Sequence, residues 1–163
     1  MNLLVDIGNT LTKIAVSDGK SIVTEFKLRS IDLDFIKDII EDNNIKNIAI
    51  SNVRKPNQKL FDLCNSKSNL YTFNKEIRLP FNNPYDDGLV GEDRLSLILG
   101  AYSLYPQDNV LVVDLGTCIT YDIKTSKNDY QAGGISPGLA LRKKSLSSGT
   151  VNLNEIDLSL IHI

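Results

Sequence analysis

Apolar and polar residues alternate along the first 28 positions in three short runs, 2–7 (NLLVDI), 11–17 (LTKIAVS) and 21–28 (SIVTEFKL), separated by Gly8-Asn9 and Asp18-Gly19. Runs of this length, rich in β-branched residues and broken by turn formers, predict three antiparallel strands joined by tight turns. From Asp32 to about Asn43 the period changes: Leu33, Phe35, Ile36, Ile39 and Ile40 recur at helical spacing behind Ser30 or Asp32 as the cap, which predicts an amphipathic helix. A strand at 47–53, a helix around 57–66 and a short strand at 69–73 follow. Residues 77–90, with Pro80, Pro84 and several Asn and Asp, read as an irregular loop, and a helix is expected from 92 to 105, stopped by Pro106. The strand pattern then restarts at 110–116 and 119–125, with a further strand near 129–132, a turn over GGISPG (133–138) and a helix at 139–146.

The order β-β-β-α-β-α-β followed by a second strand-turn-strand resembles the ribonuclease-H-like core, in which a hairpin-rich sheet continues with parallel strands through helical crossovers. The two halves also echo one another, since VDIGNTLTKIAV and VDLGTCITYDI are variants of one device. An apolar strand ends on Asp, a Gly turns the chain, a Thr follows and a second strand leaves. A strand-end Asp can hold a cation or its water, Gly lets the backbone approach a phosphate, and turn amides and a Thr hydroxyl donate to phosphate oxygens. A single such turn is an ordinary hairpin; two of them can grip a triphosphate from both sides. No P-loop is present, and GGISPG lacks the Rossmann glycine spacing.

Composition narrows the chemistry. Of the 163 residues, 42% are hydrophobic, and 18 Lys+Arg against 20 Asp+Glu leave a net charge of -2. No basic excess points to nucleic acid, and no apolar run reaches the length of a membrane helix, so a cytoplasmic protein is expected. Cys64 and Cys118 stand in no CxxC spacing and the only histidine is His162, which argues against a zinc site or a histidine-based triad. Catalysis must then run on carboxylates, hydroxyls, Lys/Arg and backbone amides.

The paired turns resemble those of the actin/hexokinase/Hsp70-like ATPases. Within that superfamily, DIGNT at 6–10, Gly91-Glu92-Asp93-Arg94, DLGTCIT at 114–120 and ISPG at 135–138 stand in the order and approximate spacing of the type III pantothenate kinases, which the chain resembles over nearly its whole length. The resemblance implies an α/β fold of the actin-like ATPase type and an ATP-dependent phosphorylation of pantothenate on the path to coenzyme A. Asp6, Ile7, Gly8, Asn9, Thr10, Leu11, Thr12 and Lys13 match the first phosphate-binding segment, with Asp6 organising Mg²⁺, and Thr117 matches a further ATP contact. Tyr85, Gly91, Glu92, Asp93 and Arg94 match the pantothenate segment, with Asp93 as general base. Asp114 matches the ligand of a monovalent cation, potassium or ammonium, whereas Thr120 is read as supporting the turn. Ala132 occupies the place of a glycine common in relatives.

The expected organisation is one complete domain at 1–106 and an incomplete second copy at 107–163. The family continues beyond this point and works as a homodimer whose partner subunit lends a threonine to pantothenate. The chain by itself is therefore expected to be unstable or aggregation-prone, with little or no kinase activity. The alternative readings are a non-catalytic or regulatory protein on the same nucleotide-binding fold, or a kinase of another small hydroxylated substrate.

Overall fold

A computed structural model of the chain describes residues 1–73, 77–85 and 88–149. His162 and the closing stretch 154–163 lie outside the described residues. Two compact units are distinguished: Met1–Pro80 with Tyr85–Leu99, and Phe81–Pro84 with the described residues from Gly100 on.

In the first unit, β1 (Asn2–Ile7), β2 (Thr12–Ser17) and β3 (Ile22–Leu28) form an antiparallel meander. Helix α1 (Leu33–Asp42) is capped by Asp32, whose Oδ1 accepts from the backbone N–H of Asp34 at 3.0 Å. It crosses to β4 (Asn47–Asn52), parallel to β1, and α2 (Gln58–Lys67), capped by Asn57, crosses to β5 (Asn69–Thr72), parallel to β4. The sheet order is β3-β2-β1-β4-β5. Strand alternation sends Leu3, Val5, Ile7, Ile14, Val16, Ile48 and Ile50 to one face, where Ile36, Ile39 and Ile40 of α1 and Leu60 and Cys64 of α2 close the core. Burial pushes the Cys64 thiol up to about 11, so this cysteine is an inert core side chain. Helix α3 (Glu92–Leu104) spans the division between the two compact units, which falls between Leu99 and Gly100.

In the second unit, β6 (Val110–Leu115), β7 (Cys118–Lys124) and β8 (Tyr130–Pro137) form an antiparallel sheet in that order, followed by α4 (Leu139–Gly149). The turn expected at 133–138 is a correction. Residues 133–137 continue β8, and the register with β7 slips between Thr120 and Asp122, where Gly133 and Gly134 together oppose Tyr121. The glycines make a β-bulge. A Cβ on Gly133 would collide with the Tyr121 carbonyl, whereas Ala132, in the place of the family's first glycine, pairs with Asp122 without such a conflict.

Polarity is inverted across this sheet. Thr120, Asp122 and Lys124 of β7 are buried, while the opposite face carries Leu111 and Leu115, 62% and 77% exposed. The buried charges are satisfied. Lys124 Nζ donates to the carbonyls of Tyr105 and Pro106 at 2.7 Å and of Asp108 at 3.1 Å, tying down the chain that leaves α3, where a cation also suits the helix C-terminus. Tyr130 donates its hydroxyl to Asp122 Oδ1 at 2.7 Å and packs its ring on Phe81.

Candidate functional site

The first turn sits at the carboxyl end of β1, beside the carboxyl end of the parallel strand β4, the position at which open α/β sheets bind ligands. Asp6 pairs with Lys13 and Ile7 with Thr12, and the Gly8 N–H donates to the Leu11 carbonyl at 3.1 Å to close the loop. Asp6 and Lys13 lie on one face, 3.5 Å apart from Oδ2 to Nζ, with side chains 40% and 60% exposed. Asn9 and Thr10 are exposed, and Leu11 is half-buried. The side chains of Ile7 and Thr12 are buried on the core face, so these two positions serve the turn through their backbone.

The segment 91–94 opens α3. The Arg94 and Leu95 N–H groups donate to the Gly91 carbonyl at 3.1 and 3.2 Å. The Arg94 N–H also meets Asp93 Oδ1 at 2.8 Å. The Asp93 carboxylate folds back over Gly91, where a Cβ would collide with Oδ1. A side chain at 91 would displace that carboxylate, the flexible end of Asp93, so the glycine leaves the acid room to sit there. Glu92 Oε2 accepts the backbone N–H of Asn52 at 2.7 Å, binding the start of α3 to the end of β4. Burial raises its pKa above the ordinary 4.5, the Asn52 bond opposes this, and the Asp93 charge adds to it. Arg94 is only 7% exposed, so it is not a solvated surface residue. Tyr85 is half-buried.

Asp6, Lys13 and residues 91–94 thus belong to the first unit, while Asp114 and Thr117 belong to the second. Asp114 ends β6 opposite Thr120, and the Gly116 N–H donates to the Cys118 carbonyl at 3.0 Å. Thr117 is exposed at the tip of that turn.

Three polar groups near these turns are buried without a hydrogen-bond partner, and two of them, in Ser51 and Arg54, escaped the sequence reading. Ser51, the β4 partner of Asp6, has a buried hydroxyl without a hydrogen-bond partner, as have Thr120 Oγ1 and, just past β4, Arg54 Nε. Ser51 and Arg54 were findable only from their place at the end of a parallel strand, for neither stands in a motif.

The family model of the type III pantothenate kinases matches residues 2–162. The chain belongs to that family. A type III pantothenate kinase of Christiangramia forsetii is 36% identical over 158 residues, covering 94% of this chain and 64% of the relative. One of Flavobacterium johnsoniae is 36% identical over 165 residues, with 99% and 68% covered. The chain therefore spans about two thirds of the length of the curated relatives it matches. Among solved structures, one from Campylobacter jejuni named for the Baf family of transcriptional activators aligns at a TM-score of 0.54 and 26% identity, over 99% of this chain and 68% of that one. The Ppx/GppA phosphatase of Aquifex aeolicus aligns at a TM-score of 0.53 and 16% identity, over 93% and 56%. That likeness bears on fold alone, which is the actin-like ATPase fold.

Proposed function

We propose that this member of the family phosphorylates the terminal hydroxyl of pantothenate with ATP, the first step towards coenzyme A, with Asp93 as general base. The observation that carries the reading is the Asp93 carboxylate held over Gly91 in the first turn of α3, followed directly by a buried arginine. Phosphoryl transfer asks a protein for positioning, charge neutralisation and one group to take the proton of the attacking hydroxyl. Asp93 takes that proton at its carboxylate, and Arg94, buried and cationic, is suited to the pantothenate carboxylate. Glu92 fixes the helix start through the Asn52 N–H and, with Gly91 and Tyr85, borders the vitamin.

On the nucleotide side, Lys13 and the turn at 8–11 meet the phosphates, and Thr117 donates from the second turn. Asp6, half-exposed and paired with Ser51 across the strands, offers the hard oxygens that suit Mg²⁺, which keeps most of its waters and shares phosphate oxygens. When bound, that ion neutralises charge on the transferring phosphoryl group. Asp114 takes a potassium or ammonium ion. The working form is a cytoplasmic homodimer, and the domains are those of residues 1–106 and 107–163. No described helix is long and apolar enough to cross a membrane.

A second reading, a non-catalytic regulator on the same fold, is favoured by the likeness to the Campylobacter jejuni structure. Coupled ADP release in the presence of pantothenate, a sugar or acetate, with ATP affinity measured alongside, separates the readings. Turnover by residues 1–163 is expected to be slow, so the ratio of variant to wild type is the quantity to read. Asp93→Asn should lower kcat by about 10²–10⁴-fold with ATP affinity unchanged. An undiminished kcat removes Asp93 as base, and ATP binding without pantothenate-dependent ADP release supports the regulator.

A further inference from the structure

Thr120 is 7% exposed, and its Oγ1 is shut off from solvent without a hydrogen-bond partner. It stands directly across β6–β7 from Asp114, so both side chains leave the same face of the sheet, with Cβ atoms about 4.5–5.5 Å apart. The turn beside Asp114 carries one more oxygen, the Cys118 carbonyl that accepts the Gly116 N–H at 3.0 Å, and the place a Cβ would take on Gly116 is 3.6 Å from Asp114 Oδ2 and 3.7 Å from that carbonyl. A buried hydroxyl without a partner is costly to the fold. Beside a carboxylate, a cation relieves both groups, because the hydroxyl oxygen and the carboxylate oxygen are both hard donors.

The donor set also decides the charge of the ion. Among the described residues there is no group of three or more His, Cys, Asp or Glu side chains placed to hold a metal. A single carboxylate neutralises a monovalent ion, whereas a divalent ion held by one carboxylate, as at Asp6, relies on retained waters and substrate phosphates, which a hydroxyl shut off from solvent does not offer.

We infer that Thr120 Oγ1 is a ligand, beside Asp114, of a monovalent cation in the second turn. This rests on the reading of Asp114 as a cation ligand and adds a side chain that was otherwise assigned only to holding the turn. Thr12, at the matching place in the first turn, also has an unpartnered buried hydroxyl, but it stands across from Ile7 on the core face, away from any strand-end carboxylate.

The test reads cation binding rather than kinase activity. Thermal unfolding of the 163-residue chain is followed in potassium, sodium and tetramethylammonium chloride at equal ionic strength, and thallous ion, a potassium surrogate, is titrated by thallium NMR. The wild type should melt higher in potassium than in tetramethylammonium, and Asp114→Asn should abolish the difference. Thr120→Val should bind thallous ion about tenfold more weakly, at the low end of the loss seen when groups supporting a metal are removed, while Thr120→Ser stays close to wild type. In tetramethylammonium, Thr120→Val should be at least as stable as wild type, since it removes an unsatisfied hydroxyl. The inference is overturned if Thr120→Val binds thallous ion like wild type, if it is destabilised in every salt without a change in affinity, or if the wild type answers to no cation. A failure of the kinase reading would show separately, as missing pantothenate-dependent ADP release with the potassium response intact.

Discussion

In the first turn Asp6 stands across from Lys13 and Ile7 across from Thr12, around a loop at 8–11; in the second, Asp114 stands across from Thr120 and Leu115 across from Ile119, around a loop at 116–118. The Asp-to-Thr spacing is the same in both sequences, yet the second loop is shorter by one residue. In a strand a slip of one residue moves a side chain to the other face. The threonine that follows the first turn is therefore buried in the core, and the one that follows the second shares a face with the aspartate. The partner of the aspartate changes with it, from an exposed lysine to a buried hydroxyl. Under the function proposed above, the two copies of one sequence device would serve two tasks, a lysine-assisted phosphate and Mg²⁺ site and a site for a monovalent ion.

The comparison is broken most severely by adding a methyl group where the second turn is packed. A Cβ on Gly138 would collide with the Gly116 carbonyl and stand 2.6 Å from that of Thr117, whereas one on Gly8 meets only the Leu11 carbonyl, at 3.2 Å. Both of the Gly138 conflicts are with backbone, which cannot rotate away. Gly138→Ala should cost about 1–3 kcal/mol in urea unfolding, the range of overpacked sites, and Gly8→Ala clearly less. Equal losses would mean that the second turn is not the tighter of the two.

Lys13→Met sharpens the functional side of the contrast. The Lys13–Asp6 pair is more than a third exposed on both partners, so its loss should change stability by less than about 1 kcal/mol. ATP affinity, read by calorimetry, should fall about tenfold or more through the lost charge-assisted contact to phosphate. Unchanged affinity would leave Lys13 as a surface strand residue, and the first turn would then rely on its backbone amides alone.

The smallest effect concerns the anchor beside the first turn. Asn52, which accepts Ile7 as its β-partner and donates its N–H to Glu92, links that turn to the start of α3. Because burial raises the Glu92 pKa above 4.5, the folded chain holds that proton more tightly than the unfolded chain does. Its contribution is complete below pH 4.5 and is lost as pH rises through the folded-state value. Glu92→Gln should flatten this shallow decline, seen as a pH-dependent difference between variant and wild-type unfolding free energies above pH 4.5. A difference that does not vary with pH would show that Glu92 titrates alike in both states.

Reading the chain alone was enough for the order of elements, because alternation in 2–7, 12–17 and 47–52 and the helical spacing of Ile36, Ile39 and Ile40 are local signals that the core then uses directly. It was also enough for the family, since DIGNT, G-x-D-R and DLGTCIT are contiguous motifs, and for Gly91, Asp93 and Asp114 as candidates. Three things depended on which strands meet and in what register. Gly133-Gly134 carries the composition of a turn and became a bulge because β8 pairs onward with β7, and only the paired partner, Tyr121, shows why Gly133 must lack a Cβ. The burial of Asp122, Lys124 and Arg94 is not written in any local pattern: the fold supplied a tyrosine hydroxyl for the first, three carbonyls for the second, and enclosed the third. Thr12 and Thr120 are interchangeable as letters. Their difference arises only when the loops close, because the facing of a strand residue is set by its cross-strand partner, and that partner is chosen by the length of the turn.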